Sequence, residues 1–173
     1  VPPQEPSNGV AVVTRLDSSQ LRHIYDLREV LEGLCVRLAT QNVAPEHWQD
    51  LVELFGAPMQ KHVDAGDFDA FLAGYARFRR RTIDAAANPQ LAQMLDSITE
   101  KTQVLIRRAI ILPGRAALGL KQHRAVLAAM RRGDAGTMGE LMDASHVSMR
   151  DDFEISRAEM DVMVELAQAQ PAC

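Results

Sequence analysis

The chain has 173 residues, 47% hydrophobic, 24% charged and only 5% aromatic; its apolar mass is Leu, Val, Ile, Ala and Met, enough for one buried core and suited to helix packing rather than to sheet. A formal net charge of -4, from 19 basic and 23 acidic residues, speaks against a nucleic-acid coat. Two cysteines, Cys35 and Cys173, make no disulfide framework and sit in no CxxC spacing. The chain also lacks an 18-residue apolar run and a signal-peptide order at its start, so reduced thiols, a cytoplasmic location and no membrane are expected.

Near the start, Pro2, Pro3, Pro6 and Gly9 flank the β-branched run Val10 to Thr14, which reads as a short isolated strand. Asp17 and Ser18 offer helix N-caps, and Leu21, Ile24, Leu27, Leu31, Leu34 and Leu38 recur at spacings of three and four up to Asn42, predicting a long first helix. Ala44-Pro45 starts a second helix that carries Trp48, Leu51, Leu54, Phe55, Met59 and Val63, with a kink expected at Gly56 and Pro58. Gly66 ends it and Asp67 caps a third, whose stripe of Phe68, Phe71, Leu72, Tyr75, Phe78, Thr82 and Ile83 runs to Ala87. From Pro89 a fourth helix passes through Leu91, Leu95, Ile98 and Thr102 to about Leu112, where Pro113-Gly114 breaks it. A fifth, with Leu120, His123, Val126, Leu127 and Met130, ends at Gly133, and Asp134 caps a sixth with Met138, Leu141, Met142, His146, Met149 and Phe153. The pattern describes one all-α domain without internal repeats, an antiparallel bundle of about six helices preceded by a short strand.

The order of short motifs along this bundle carries a resemblance. NGVAVVTRL at 8–16, IYDLREVLEGLCVRLA at 24–39, GDFDAF, AAANPQL, QHRAVLAAMRRGD at 122–134 and MDASHVSM at 142–149 together resemble the C-terminal ligand-sensing (FCD) domain of the GntR family of bacterial transcription regulators, FadR-type branch. The resemblance runs from about Gly9 to Phe153. It implies that residues 1–17 are the remnant of a wing strand and linker from a winged helix-turn-helix, and that residues 18–173 are an effector-binding and dimerisation domain. It further implies a homodimer, and operator DNA bound through an N-terminal domain that this chain does not include.

In many members of this branch a divalent metal is held by an Asp and a His one turn apart on the third helix and by one His on each of the last two. Here His123 and His146 fill the later positions, but Tyr75 and Arg79 stand where the Asp and His are expected. A guanidinium never loses its charge and repels a cation, so Zn or Ni is disfavoured and no cofactor is expected. A bidentate Arg grips a carboxylate directly. The resemblance therefore implies a metal-free pocket for a small organic acid: Arg79 holds the acidic group, Tyr75, His123 and His146 donate hydrogen bonds, and Arg28, carried over from the first-helix pattern, adds a second charge.

Other readings stand beside these. His123 and His146 also suit hydrogen-bonded core positions, and with Asp143 they form the set for a metal-dependent sensor. Arg77, Arg80 and Arg81 read as a solvated face, and Arg107 or Arg108 either lines the cavity or faces water. A purely structural oligomerisation bundle would have a filled core instead of a cavity. An enzyme is not expected, because there is no nucleophile elbow, HExxH, Gly-rich phosphate loop, or Ser or Cys beside a base.

Overall fold

The computed structural model describes residues 18–134 and, beyond them, residues 136–138, 140–141, 144 and 147–148, with side chains from residue 22 onward. The strand expected at 10–14 lies outside the described residues. Through residue 134 the described residues form six α-helices in succession: α1 Ser18–Asn42, α2 Gln49–Leu54, α3 Ala57–Asp64, α4 Phe68–Ala86, α5 Pro89–Ile110 and α6 Arg115–Arg132. No strand occurs among the described residues.

Local chemistry sets most of the boundaries. The Asp67 carboxylate accepts from the Ala70 N–H at 3.1 Å and the Asn88 side chain from the Leu91 N–H at 3.1 Å, capping α4 and α5. Asp134 does the same for Thr137 at 3.1 Å, opening the predicted last helix, whose described residues are helical and bury Met138 against α1. At the end of α4 stands Ala87, left-handed at φ 50°, a conformation that crowds a Cβ and that glycine adopts freely. Ala87→Gly is accordingly expected to raise stability by about 1 kcal/mol, read as a higher urea midpoint with an unchanged slope.

The predicted second helix is broken rather than kinked. It begins as a 3-10 turn, Pro45–Trp48, continues as α2, and restarts as α3 after Phe55 and Gly56. Pro58 has no N–H for the Leu54 carbonyl and its ring would collide with it, so α2 stops there and Pro58 takes the first turn of α3. Arg124 on α6 holds the exposed end, donating from Nε to the Phe55 carbonyl at 2.7 Å and from Nη2 to the Gly56 carbonyl at 2.9 Å.

Hydrogen bonds give the helix directions. Arg28 near the start of α1 meets Tyr75 of α4, and Asn42 at its end donates to the carbonyls of Ala85 and Ala86 at 3.1 and 3.0 Å, so α1 and α4 lie side by side in the same direction. The two-residue link at 87–88 turns α5 back, with Arg79 opposite Asp96 and Arg107 opposite Asp69. Likewise α6 runs against α2 and α3, placing Arg131 at Gln49 and Arg124 at Gln60. Trp48, Leu51, Phe55, Met59, Leu120 and Leu127 fill the centre. At Gly74 a Cβ would meet the terminal methyl of Met59, the flexible tip of a side chain that α3 lays against α4.

Candidate functional site

Three helices turn polar residues toward one another. On α1, Arg28, Glu32 and Cys35 follow at spacings of four and three; on α4, Tyr75, Arg79 and Thr82 do the same; on α6, Arg115, Gln122 and His123 share a face. With Phe78, Leu95 and Val126 among the apolar walls, they enclose a cavity of about 60 Å³.

Arg28 lies at the bottom, 2% exposed. Its Nε and Nη2 both reach Glu32 Oε1 at 2.9 Å, Nη2 also donates to the Tyr75 hydroxyl at 3.2 Å, and the guanidinium stands 5.4 Å from the centre of the Tyr25 ring. Burial opposes its charge, yet Glu32 and the two tyrosines carry its pKa above the ordinary value. Its Nη1 is buried and has no hydrogen-bond partner among the described residues. Arg79 straddles the rim: both Nη atoms stretch 3.4 Å to Asp96 Oδ1 on α5, while Nε is buried and likewise without a partner there.

Burial, followed by the nearby Glu32 charge, pushes Tyr75 up to about 12, so its hydroxyl keeps a hydrogen to donate while accepting from Arg28. The same causes push the Cys35 thiol up to about 12, which leaves it without thiolate reactivity. His123 is packed by four rings: Phe55 stacked at 5.2 Å between centroids, and Phe71, Tyr75 and Phe78 edge-on at 6.4, 5.1 and 5.3 Å. Burial lowers its pKa, so the neutral ring is favoured. Its Nδ1 lies 2.7 Å from the Gly119 carbonyl, an acceptor only, and therefore carries the proton.

Of the residues singled out in the sequence, Arg28, Tyr75, Arg79 and His123 thus share one cavity. His146 and Asp143 lie outside the described residues. Sequence reasoning missed Arg115, which is 7% exposed, lines the same wall and donates to Ser148 Oγ at 3.0 Å and Gln122 Oε1 at 3.4 Å. The signal was available, since Arg115 precedes His123 by eight and Gly119 by four on one helical face. Glu32 was equally legible as the residue one turn beyond Arg28. Arg77, Arg80 and Arg81 point outward to Asp50, Asp84 and Asp50 at 2.8, 3.0 and 3.1 Å, as expected of a solvated face. Arg107 pairs with Asp69 at 2.8 Å on the surface and Arg108 is exposed, so neither lines the cavity.

A family model described as FCD domain matches residues 23–147, a span that includes every cavity residue named above. The chain belongs to the FCD domain family. FCD domains are the C-terminal, ligand-sensing regulatory domains of GntR-type regulators of the FadR branch. Segments of this FCD domain are also similar to galactokinases: 61% identity over 41 residues with that of Actinobacillus succinogenes, 53% over 45 residues with that of Chloroflexus aurantiacus and 60% over 40 residues with that of Mannheimia succiniciproducens. These stretches cover 24%, 26% and 23% of the chain, and only 11%, 12% and 10% of the respective enzymes. The chain therefore spans about a tenth of the length of these curated relatives.

The metal that the branch often binds is a poor fit to the described donors of this FCD domain. Among the described residues no three of His, Cys, Asp and Glu converge on one point. Glu32 is bonded to Arg28, the Cys35 and Tyr75 protons are held well above neutral pH, and three guanidiniums line the same wall. No helix among the described residues is long and apolar enough to cross a membrane.

Proposed function

We propose that this FCD domain senses a short-chain organic acid, or a related small anion, held without metal by Arg28, Tyr75 and Arg79, with Arg115 adding charge to the wall. One observation carries the reading: Arg28 Nη1 and Arg79 Nε are buried beside a cavity with no acceptor among the described residues. A buried donor left unbonded costs about 1–3 kcal/mol, which an anionic oxygen accepting from it would recover. A purely structural bundle gains nothing from such groups around an unfilled space. About 60 Å³ admits a handful of water-sized groups, which favours a short ligand over a long one.

The domain acts as a homodimer in the cytoplasm, and residues 18–173 are its sensing unit. Leu27 and Val30 on α1 and Val104 on α5 are 53%, 69% and 59% exposed in the isolated chain, and an apolar surface on these two helices suits a partner copy. Occupancy matters to DNA only if the anion favours one arrangement of the two copies, and hence of the DNA-reading heads they carry, over another. The net charge of -4 belongs to the sensing part and does not count against an operator bound elsewhere in the regulator.

A thermal-shift screen of short-chain carboxylates, Zn and Ni tests this. An acid at 100 times its Kd is expected to add about 2.7 kcal/mol to stability, and Arg79→Ala to remove that shift. A full shift retained in Arg79→Ala would refute the direct grip. A shift with Zn or Ni that disappears in His123→Ala would establish the metal-dependent sensor instead.

A further inference from the structure

We infer that a second ligand site lies on the outside of the bundle, in the groove between α2 and α6, and that it takes an aromatic acid of about two fused rings. Val52, Phe55 and Leu127 form its apolar floor and Arg124, Arg131 and Arg132 its charged rim. The groove holds about 420 Å³, against about 60 Å³ for the inner cavity, and no residue lines both. Small-molecule sites commonly enclose about 300–1,000 Å³ and combine apolar walls with a few convergent polar groups. The inference rests on no part of the inner anion reading.

The charge of the rim points to an acid. Arg77, Arg79, Arg80, Arg81 and Arg107 each stand against a carboxylate, whereas no described carboxylate pairs with the three arginines of the groove. Arg124 donates to the Phe55 and Gly56 carbonyls and to Gln60 Oε1, and Arg131 to Gln49 Oε1, all neutral acceptors. Those bonds hold two guanidiniums in place without cancelling their charge. Glu53 is bonded instead to Gln49 at 2.8 Å, and Asp134, which feels the Arg132 charge, is bonded to Thr137. The groove is therefore a local positive field over an apolar floor. Its length sets the size of the ligand. Arg124 and Arg131 stand two turns apart on α6, about 10 Å along the axis, which fits two fused rings and is too short for a peptide helix of several turns. Guanidinium planes also stack on aromatic faces, so the same arginines favour a flat body as well as a carboxylate.

Calorimetric titration of the chain with 2-naphthoate and with the neutral 2-naphthalenemethanol tests this, since both are too large for the inner cavity. 2-Naphthoate is expected to saturate one site per chain and to bind about tenfold or more tighter than the alcohol, because only the acid makes hydrogen bonds between two charged groups. Arg131 and Arg132 are exposed at the end of α6. The double variant Arg131→Gln/Arg132→Gln should bind the acid about tenfold or more weakly, while Arg79→Ala, in the inner cavity, should change it by less than about twofold. In spectra of the methyl-labelled chain, the Val52 and Leu127 signals should move with the acid. If the double variant does not fold, those signals on the unaltered chain decide. No saturable binding, equal binding of acid and alcohol, unmoved Val52 and Leu127 signals, or full binding in the double variant overturns the outer site and leaves the inner anion reading standing. Loss of 2-naphthoate binding in Arg79→Ala places the acid in the inner cavity and likewise overturns the outer site.

Discussion

Phe55→Ala is expected to lower the unfolding free energy by about 3–5 kcal/mol, the range for deleting a fully buried aromatic ring. Phe55 is 0% exposed, stacks on His123 at 5.2 Å and meets Phe78 edge-on at 6.0 Å. It also stands at the break between α2 and α3, where the backbone has little regular structure of its own to fall back on and depends on Arg124 for its carbonyl. Against the roughly 5–15 kcal/mol typical of a domain, such a loss leaves the protein near its threshold. Urea denaturation measures it, and Phe55→Leu, which retains most of the volume, should lose less than about 1.5 kcal/mol. The same substitution removes the ring that His123 lies against, so acid binding is expected to weaken in Phe55→Ala even below its melting point. Equal losses for Ala and Leu would show that the ring's volume is not what holds the break.

The second large effect is expected from Arg28→Met. Removing one partner of a buried ion pair is strongly destabilising because the other charge stays behind in a poor solvent. Here that is the Glu32 carboxylate, whose side chain is 14% exposed, so a loss of about 3 kcal/mol, the low end for such pairs, is expected. The proposed anion site is expected to suffer independently: a hydrogen bond to a charged group is worth about 1.5–3 kcal/mol, which corresponds to roughly 10- to 150-fold weaker binding of the acid. The double variant Arg28→Met/Glu32→Leu separates the two roles. It should regain stability, since an apolar pair of similar volume replaces the ions, while acid binding stays lost. Chemical denaturation and calorimetric titration of the unaltered chain and the two variants measure both. If Arg28→Met is as stable as the unaltered chain, Glu32 does not depend on Arg28, and the guanidinium serves the ligand alone.

Much of this was legible in the residues. The apolar periodicity of α1, α4, α5 and α6, the caps at Asp67 and Asp134, and the stops at Gly66 and Gly133 are local matters, settled within one or two turns by backbone chemistry that neighbours in sequence supply. The resemblance to the FCD domain rests on short motifs of the same local kind, and it carried Arg28, Tyr75, Arg79 and His123 to one place before any contact was known. It reached less far at the second helix, where Gly56 and Pro58 marked an irregularity but not its extent; that a full break is tolerated depends on Arg124, 68 residues away from Gly56.

What the sequence determined by itself was the helical periods, their ends, and a family pattern with two of its metal positions occupied by Tyr75 and Arg79. Only the tertiary structure decided what the side chains of the site meet. Arg28 became a half-satisfied cation because α1 and α4 run side by side and place Glu32 and Tyr75 against it. Arg115 entered the wall because α6 crosses the same space, and His123 Nδ1 met the carbonyl of Gly119 within a ring of four aromatics. The physical reason is that period and capping are short-range preferences of the backbone. The protonation state and hydrogen-bond role of a side chain depend on the field and the partners around it, and those are brought together from distant parts of the chain only when it folds.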